Sequence, residues 1–226
     1  MSDLLKAIRS KGYWRVNIHP AEYVPERLLY SALRSILERT VVRLRGWDLP
    51  HFDRQDTDRR GNNWIGAETE WTFVREAWRF YQSAQFVYLR GVSEDWIEPD
   101  HVRFARVPMG VPSLGVGDAL FTISEICEFA SRLSVTEAGA EQMHVEIELR
   151  NSAGRRLYVD DPRRMSMDNQ YSFHDATLTT SVVISRSDVA GRSRELALDT
   201  ALDMFSHFGW HPDRSLLQGQ QDELRW

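Results

Sequence analysis

Lysine disappears after residue 11: Lys6 and Lys11 are the only two, and every other cationic side chain is arginine. That absence excludes a lysine-bearing phosphate loop, a Schiff-base lysine beyond residue 11 and a kinase-type lysine paired with a helix glutamate. Cysteine is reduced to Cys127, so no internal disulfide can form, and the usage is that expected in a reducing cytoplasm. No apolar run approaches the roughly 18 residues of a membrane span, and MSDLLKAIRSKGYW lacks the apolar stretch and cleavage site of a signal peptide. Low-complexity tracts are missing too. VVRLRG at 41–46 and FVYLRG at 86–91 are alike, but six residues are too short to define a repeat.

What remains is a globular profile: 226 residues, 42% hydrophobic and 27% charged, with a net charge of −5 that opposes general attraction to nucleic acid. YWRVNI at 13–18 reads as a strand, and the apolar spacing of Leu28, Leu29, Ala32, Leu33, Ile36 and Leu37 predicts a helix over 25–38. TVVRLRG at 40–46 predicts a strand, and 47–64 a long polar loop. Residues 76–92 carry the strongest β signal and predict an antiparallel hairpin turning near Ser83–Ala84. An irregular stretch at 93–118, a possible subdomain division, includes the glycine-containing GVPSLGVGD loop. Thr122-x-x-Glu125 then reads as the capping box of a second helix. A strand at 144–151 turns at 152–154 into RRLYV, 177–186 reads as another strand, and a last helix at 189–207 is capped by Ser187 or Asp188. The expected fold is one α+β domain, a mixed but largely antiparallel sheet with about three helices packed on it.

Chemistry-bearing residues concentrate in RLRGWDLPHFDRQDTDRRGNNW, 43–64. Asp48, His51 and Asp53 suggest metal ligands or a histidine base, with His174 a further catalytic candidate, but the spacing matches no local ligand signature. His207-x-x-x-His211 is interrupted by Gly209 and read as a helix end; no metal, cofactor or catalytic set is assigned. Set against catalysis is a structural reading in which Trp47 packs and Asp48 caps or salt-bridges, and, ahead of catalysis, a binding surface of Arg43, Arg45, Trp47, Asp48, His51, Arg54, Arg59 and Arg60, extended by Arg79, Tyr81 and Gln85 of the hairpin.

GYWRVNIHP (12–20), LRGWDLPH (44–51), WRFYQSAQFVYL (78–89) and ELALDTALDMFSHFGW (195–210) together resemble a domain that accompanies the ATP-binding module of bacterial Schlafen–AlbA-type regulators. Similar sequences tend to carry glycine where this one has Ala84. The ATP-binding module itself has no counterpart here, so nucleotide-dependent activity does not carry over. The resemblance implies an accessory domain in regulation or defence. The expectation is therefore a non-catalytic interaction protein of a cytoplasmic assembly, with a protein partner or a homo-oligomer. Nucleic-acid binding through 43–60 and the hairpin is one alternative, and an enzyme with a dispersed site another.

Overall fold

The computed structural model describes residues 1–52, 58–71, 74–97, 107–108, 110–186 and 189–226. Tyr13–Pro20 alternates as its sequence demands and forms β1, with Trp14, Val16 and Ile18 buried on one face and Arg15, Asn17 and His19 half-buried on the other. It lies inside a seven-stranded sheet ordered β2 (Asp58–Arg60), β3 (Trp64–Trp71), β4 (Val74–Tyr81), β5 (Phe86–Gly91), β1, β7 (Gln142–Arg150) and β9 (Thr177–Ser185). Every pairing in that sheet is antiparallel. The one parallel pairing among the described residues joins β6 (Ser113–Gly115) to β8 (Arg156–Tyr158) in a separate small ribbon, so the main sheet is not mixed.

Three helices fill one side of the sheet: α2 (Leu33–Thr40), α3 (Val116–Ser134) and α4 (Val189–Ser206). Two more among the described residues exceed the expected three. Helix α1 (Asp3–Arg9), capped by the Ser2 hydroxyl, lays Leu5 and Ile8 on the opposite face against Tyr13, Ala77 and Leu89. Helix α5 (Arg214–Gln221) packs Leu217 into the main core and contacts α3 and α4. The result is an α+β fold.

The hairpin forms as read, with Trp78 opposite Tyr88 and Phe80 opposite Phe86. Its turn places the buried Ala84 at φ 64°, the left-handed conformation in which a Cβ is unfavourable and glycine is favoured. The expected strand at 40–46 is not one. Val42 alone bridges, to Leu49, with reciprocal N–H···O bonds of 2.9 Å that close a tight loop over Gly46 at φ 91°. The polar loop at 47–64 contains β2 and ends at the first residue of β3. Helix α2 starts eight residues later than expected, after a 3₁₀ turn at Tyr30–Ala32, and Leu29 of the proposed apolar stripe is 75% exposed. Ser187 and Asp188, the expected caps of α4, lie outside the described residues.

Helix α3 begins six residues before Thr122. Its N-cap is Gly115, which has no side chain to offer, and the Asp160 carboxylate substitutes by accepting from the Gly117 and Asp118 amides, each at 2.8 Å. Thr122 instead faces a buried ion cluster. Asp118, Thr122 and Glu125 lie on one face of α3 by their i, i+4, i+7 spacing. Arg45 donates to Asp118 at 2.6 Å and to Glu125 at 2.5 Å. Arg90 of β5 donates to the Thr122 hydroxyl at 3.3 Å and reaches Asp118 at 3.5 Å. Burial opposes ionisation of Asp118, but Arg90 and Arg45 hold its carboxyl below the ordinary value.

Beside the cluster, Glu94 sits in the 3₁₀ turn Ser93–Trp96. One carboxyl oxygen accepts from the Gly115 amide at 2.6 Å and from the Tyr158 hydroxyl at 3.3 Å, while the other is buried with no hydrogen-bond partner. Burial and the Asp118 charge push the Glu94 carboxyl up to about 7, against the pull of its two amide bonds and Arg155.

Two outcomes are expected. Arg45→Ala leaves the fully buried Glu125 with only Arg90 at 4.0 Å and costs about 3–5 kcal/mol in denaturant unfolding. Arg43→Ala, at an exposed pair, changes stability by less than about 0.5 kcal/mol. The second outcome concerns pH. A carboxyl raised by burial makes the folded state bind the extra proton, so its cost to stability is absent below the unfolded value of about 4.3 and complete above about 7. The stability of Glu94→Gln relative to the unchanged protein should therefore improve across that window, by up to about 1.4 kcal/mol per pH unit. A pH-independent difference refutes the assignment.

Candidate functional site

The residues expected to form one binding surface divide among several places. Arg43 and Asp48 pair with each other across the tight loop, at 2.5 Å. Arg45 is spent on the buried cluster, its side chain 8% exposed, so it cannot meet a partner. Trp47, though 41% exposed, lies under the Arg45 guanidinium at 5.0 Å. His51 serves the core through its backbone, donating to Glu76 at 3.1 Å and accepting from the Trp78 indole at 2.8 Å, while its ring meets Trp71 edge-on. Gln85 donates to Asn17 at 2.8 Å beside a separate hollow of about 240 Å³. Arg60 lines another of about 220 Å³, together with Arg34, Tyr30 and Phe52. Asp53 and Arg54 lie outside the described residues.

Arg59, Arg79 and Tyr81 do come together. They line a groove of about 460 Å³ on the sheet face that α2, α3 and α4 leave uncovered, beside α1. The sheet register explains how. Gly66 of β3 stands between Arg59 of β2 and Arg79 of β4 as cross-strand partner of both, and Trp64 stands opposite Tyr81. With no side chain at Gly66, a gap opens between the two arginines, and the Trp64 ring lies across it. A Cβ at Gly66 would come within 3.2 Å of that ring and closer still to the Trp78 carbonyl oxygen; one at Gly61 would collide with the Trp64 indole nitrogen. The Arg79 guanidinium stacks over the ring at 4.4 Å from its centre.

Sequence reasoning missed three contributors. Arg9 arrives on α1, a helix too short for a periodic signal. Arg15 is an outward residue of β1, and Trp64 closes the stretch 47–64 whose composition predicts a loop. The charge in the groove is uneven. Arg15 is neutralised by Glu148 at 2.7 Å and Glu146 at 3.1 Å; hydrogen bonds from Arg150 and Arg15 hold the Glu148 carboxyl below its ordinary value even though burial opposes this. Arg59 lies 3.5 Å from Glu68, the one acidic residue in the lining. Arg9 and Arg79 face no carboxylate among the described residues: Arg9 touches the Met1 sulfur, and Arg79 only the Trp64 ring.

Two uncompensated guanidiniums beside an indole and a phenol suit an anion that carries a flat ring. The lining holds no histidine, cysteine or lysine side chain. His207 lies 4.0 Å from Asp203 and His211 is exposed; among the described residues no group of three or more His, Cys, Asp or Glu side chains is arranged to hold a metal ion. No helix among them is long and apolar enough to cross a membrane. Gly66→Ala should displace Trp64 and Arg79, costing about 1–3 kcal/mol and shifting tryptophan fluorescence; an unchanged spectrum and stability would contradict this packing. Comparison with family models, curated proteins and solved structures returns no match.

Proposed function

We propose that the protein works by binding rather than catalysis, as an interaction and regulatory accessory protein of a bacterial cytoplasmic assembly, and that its groove takes single-stranded nucleic acid. One observation carries the reading: among the described residues Arg9 and Arg79 have no carboxylate partner, and they stand next to Trp64 and Tyr81 on a sheet face left open by the main helices. Arginine supplies bidentate contacts to phosphate, and aromatic side chains supply flat surfaces for bases that are unstacked only in a single strand. The overall charge of −5 keeps attraction local to the groove, so a duplex lying across the wider surface is disfavoured. The accessory role is supported by the resemblance carried in 12–20, 44–51, 78–89 and 195–210.

Fluorescence anisotropy with a short labelled single strand tests the proposal. Binding should weaken as salt rises, with a logarithmic slope of about −0.7 for each phosphate contacted. Arg79→Ala and Arg9→Ala should each weaken it by about fivefold to tenfold and flatten the slope, whereas Arg43→Ala, on the far loop, should not. Absence of binding at low salt, or equal binding by all three variants, overturns it.

A further inference from the structure

The two edges of the sheet are built differently. One ends in β2, only three residues long and occupied by Asp58, Arg59 and Arg60. The other ends in β9, nine residues reading TLTTSVVIS, with no charge, no proline and no glycine. Its inner edge pairs with β7 along its whole length, from Thr177 opposite Arg150 to Ser185 opposite Gln142. Its outer edge receives no backbone hydrogen bond among the described residues. Sheets that stay single blunt a long free edge with charges, proline, a bulge or a covering loop, and β9 carries none of these.

We infer that β9 is the contact to a second copy of this chain, the two strands pairing antiparallel about a twofold axis at Ser181. The sequence is self-complementary in that register. Thr179 falls opposite Val183 of the second copy, Thr180 opposite Val182, Leu178 opposite Ile184 and Thr177 opposite Ser185. β-branched and aliphatic side chains meet, and no like charges do. The flanks agree as well. Asp175 precedes the strand and Arg186 follows it, neither of them ion-paired among the described residues, and antiparallel pairing sets the acidic end of each copy beside the basic end of the other. The faces are compatible: Leu178, Thr180 and Ile184 stay under the helix layer, with Thr180 bonded to Asp203 at 2.9 Å, while Thr179, Ser181 and Val183 remain outward, Val183 at 46% exposure.

Sedimentation velocity of the full chain, over micromolar concentrations, tests the contact. The unchanged protein should sediment as twice its 26.3 kDa chain mass. Ser181→Lys sets two like charges against each other at the axis, and Thr179→Lys with Val183→Lys does so on either side of it; both should give folded monomers by circular dichroism. Thr179→Lys with Val183→Glu sets opposite charges against each other twice and should restore the dimer. If Ser181→Lys does not fold, the two double variants still decide. The inference is overturned by an unchanged protein that stays monomeric throughout, by a dimer indifferent to the lysines, or by a charge-swapped pair that dissociates like the doubly lysine-substituted one.

Discussion

Two arginines distant in sequence converge on one face of a helix. Arg45 projects from the tight loop after α2, Arg90 from β5 inside the sheet, and both reach Asp118 and Glu125 of α3. A fully buried Glu125 is unaffordable without them, and neither arginine could be buried without the carboxylates. The cluster therefore fixes three things at once: the rotation of α3 about its axis, the path of the chain from Val42 to Leu49, and the seating of the helix layer on the sheet. With that layer confined to one side, the opposite face is left to α1 and solvent, and the groove forms there.

Much of the sheet was legible because half-buried strands carry a period-two signal that survives in sequence. β1, the β4–β5 hairpin, β7 and β9 all show it. In the segment 43–64 the pairing of the charges, not their number, decides what is left for a partner, and sequence does not show it. Composition counts charges but not their partners, and Arg43, Arg45 and Asp48 are consumed by contacts within the chain. The start of α3 was hidden because its capping carboxylate, Asp160, lies more than 40 residues downstream, while the local capping-box pattern at Thr122 serves the ion cluster instead. α1 and α5 are seven and eight residues long, too short for periodicity to stand out.

Of the candidate site, Arg59, Arg79 and Tyr81 could be named from sequence, but not their meeting. That depends on Gly66 falling in register between two arginines, a fact of strand pairing rather than of local pattern. The glycine would ordinarily weaken a strand. Here it makes room for an indole, and the indole in turn holds a guanidinium flat against the sheet.

The scarcity of lysine takes on a spatial meaning once the fold is known. Lys6 lies on α1, paired with Asp3, and Lys11 follows it, donating to the Asp95 carbonyl and resting over the Trp96 ring. Apart from the chain's own amino terminus, every primary amine is therefore at one corner of the molecule, next to Arg9 on the rim of the groove. Acylating reagents, amine crosslinkers and enzymes that acetylate or ubiquitinate lysine can address only that corner, while the rest of the cationic surface, being guanidinium, keeps its charge and stays invisible to them.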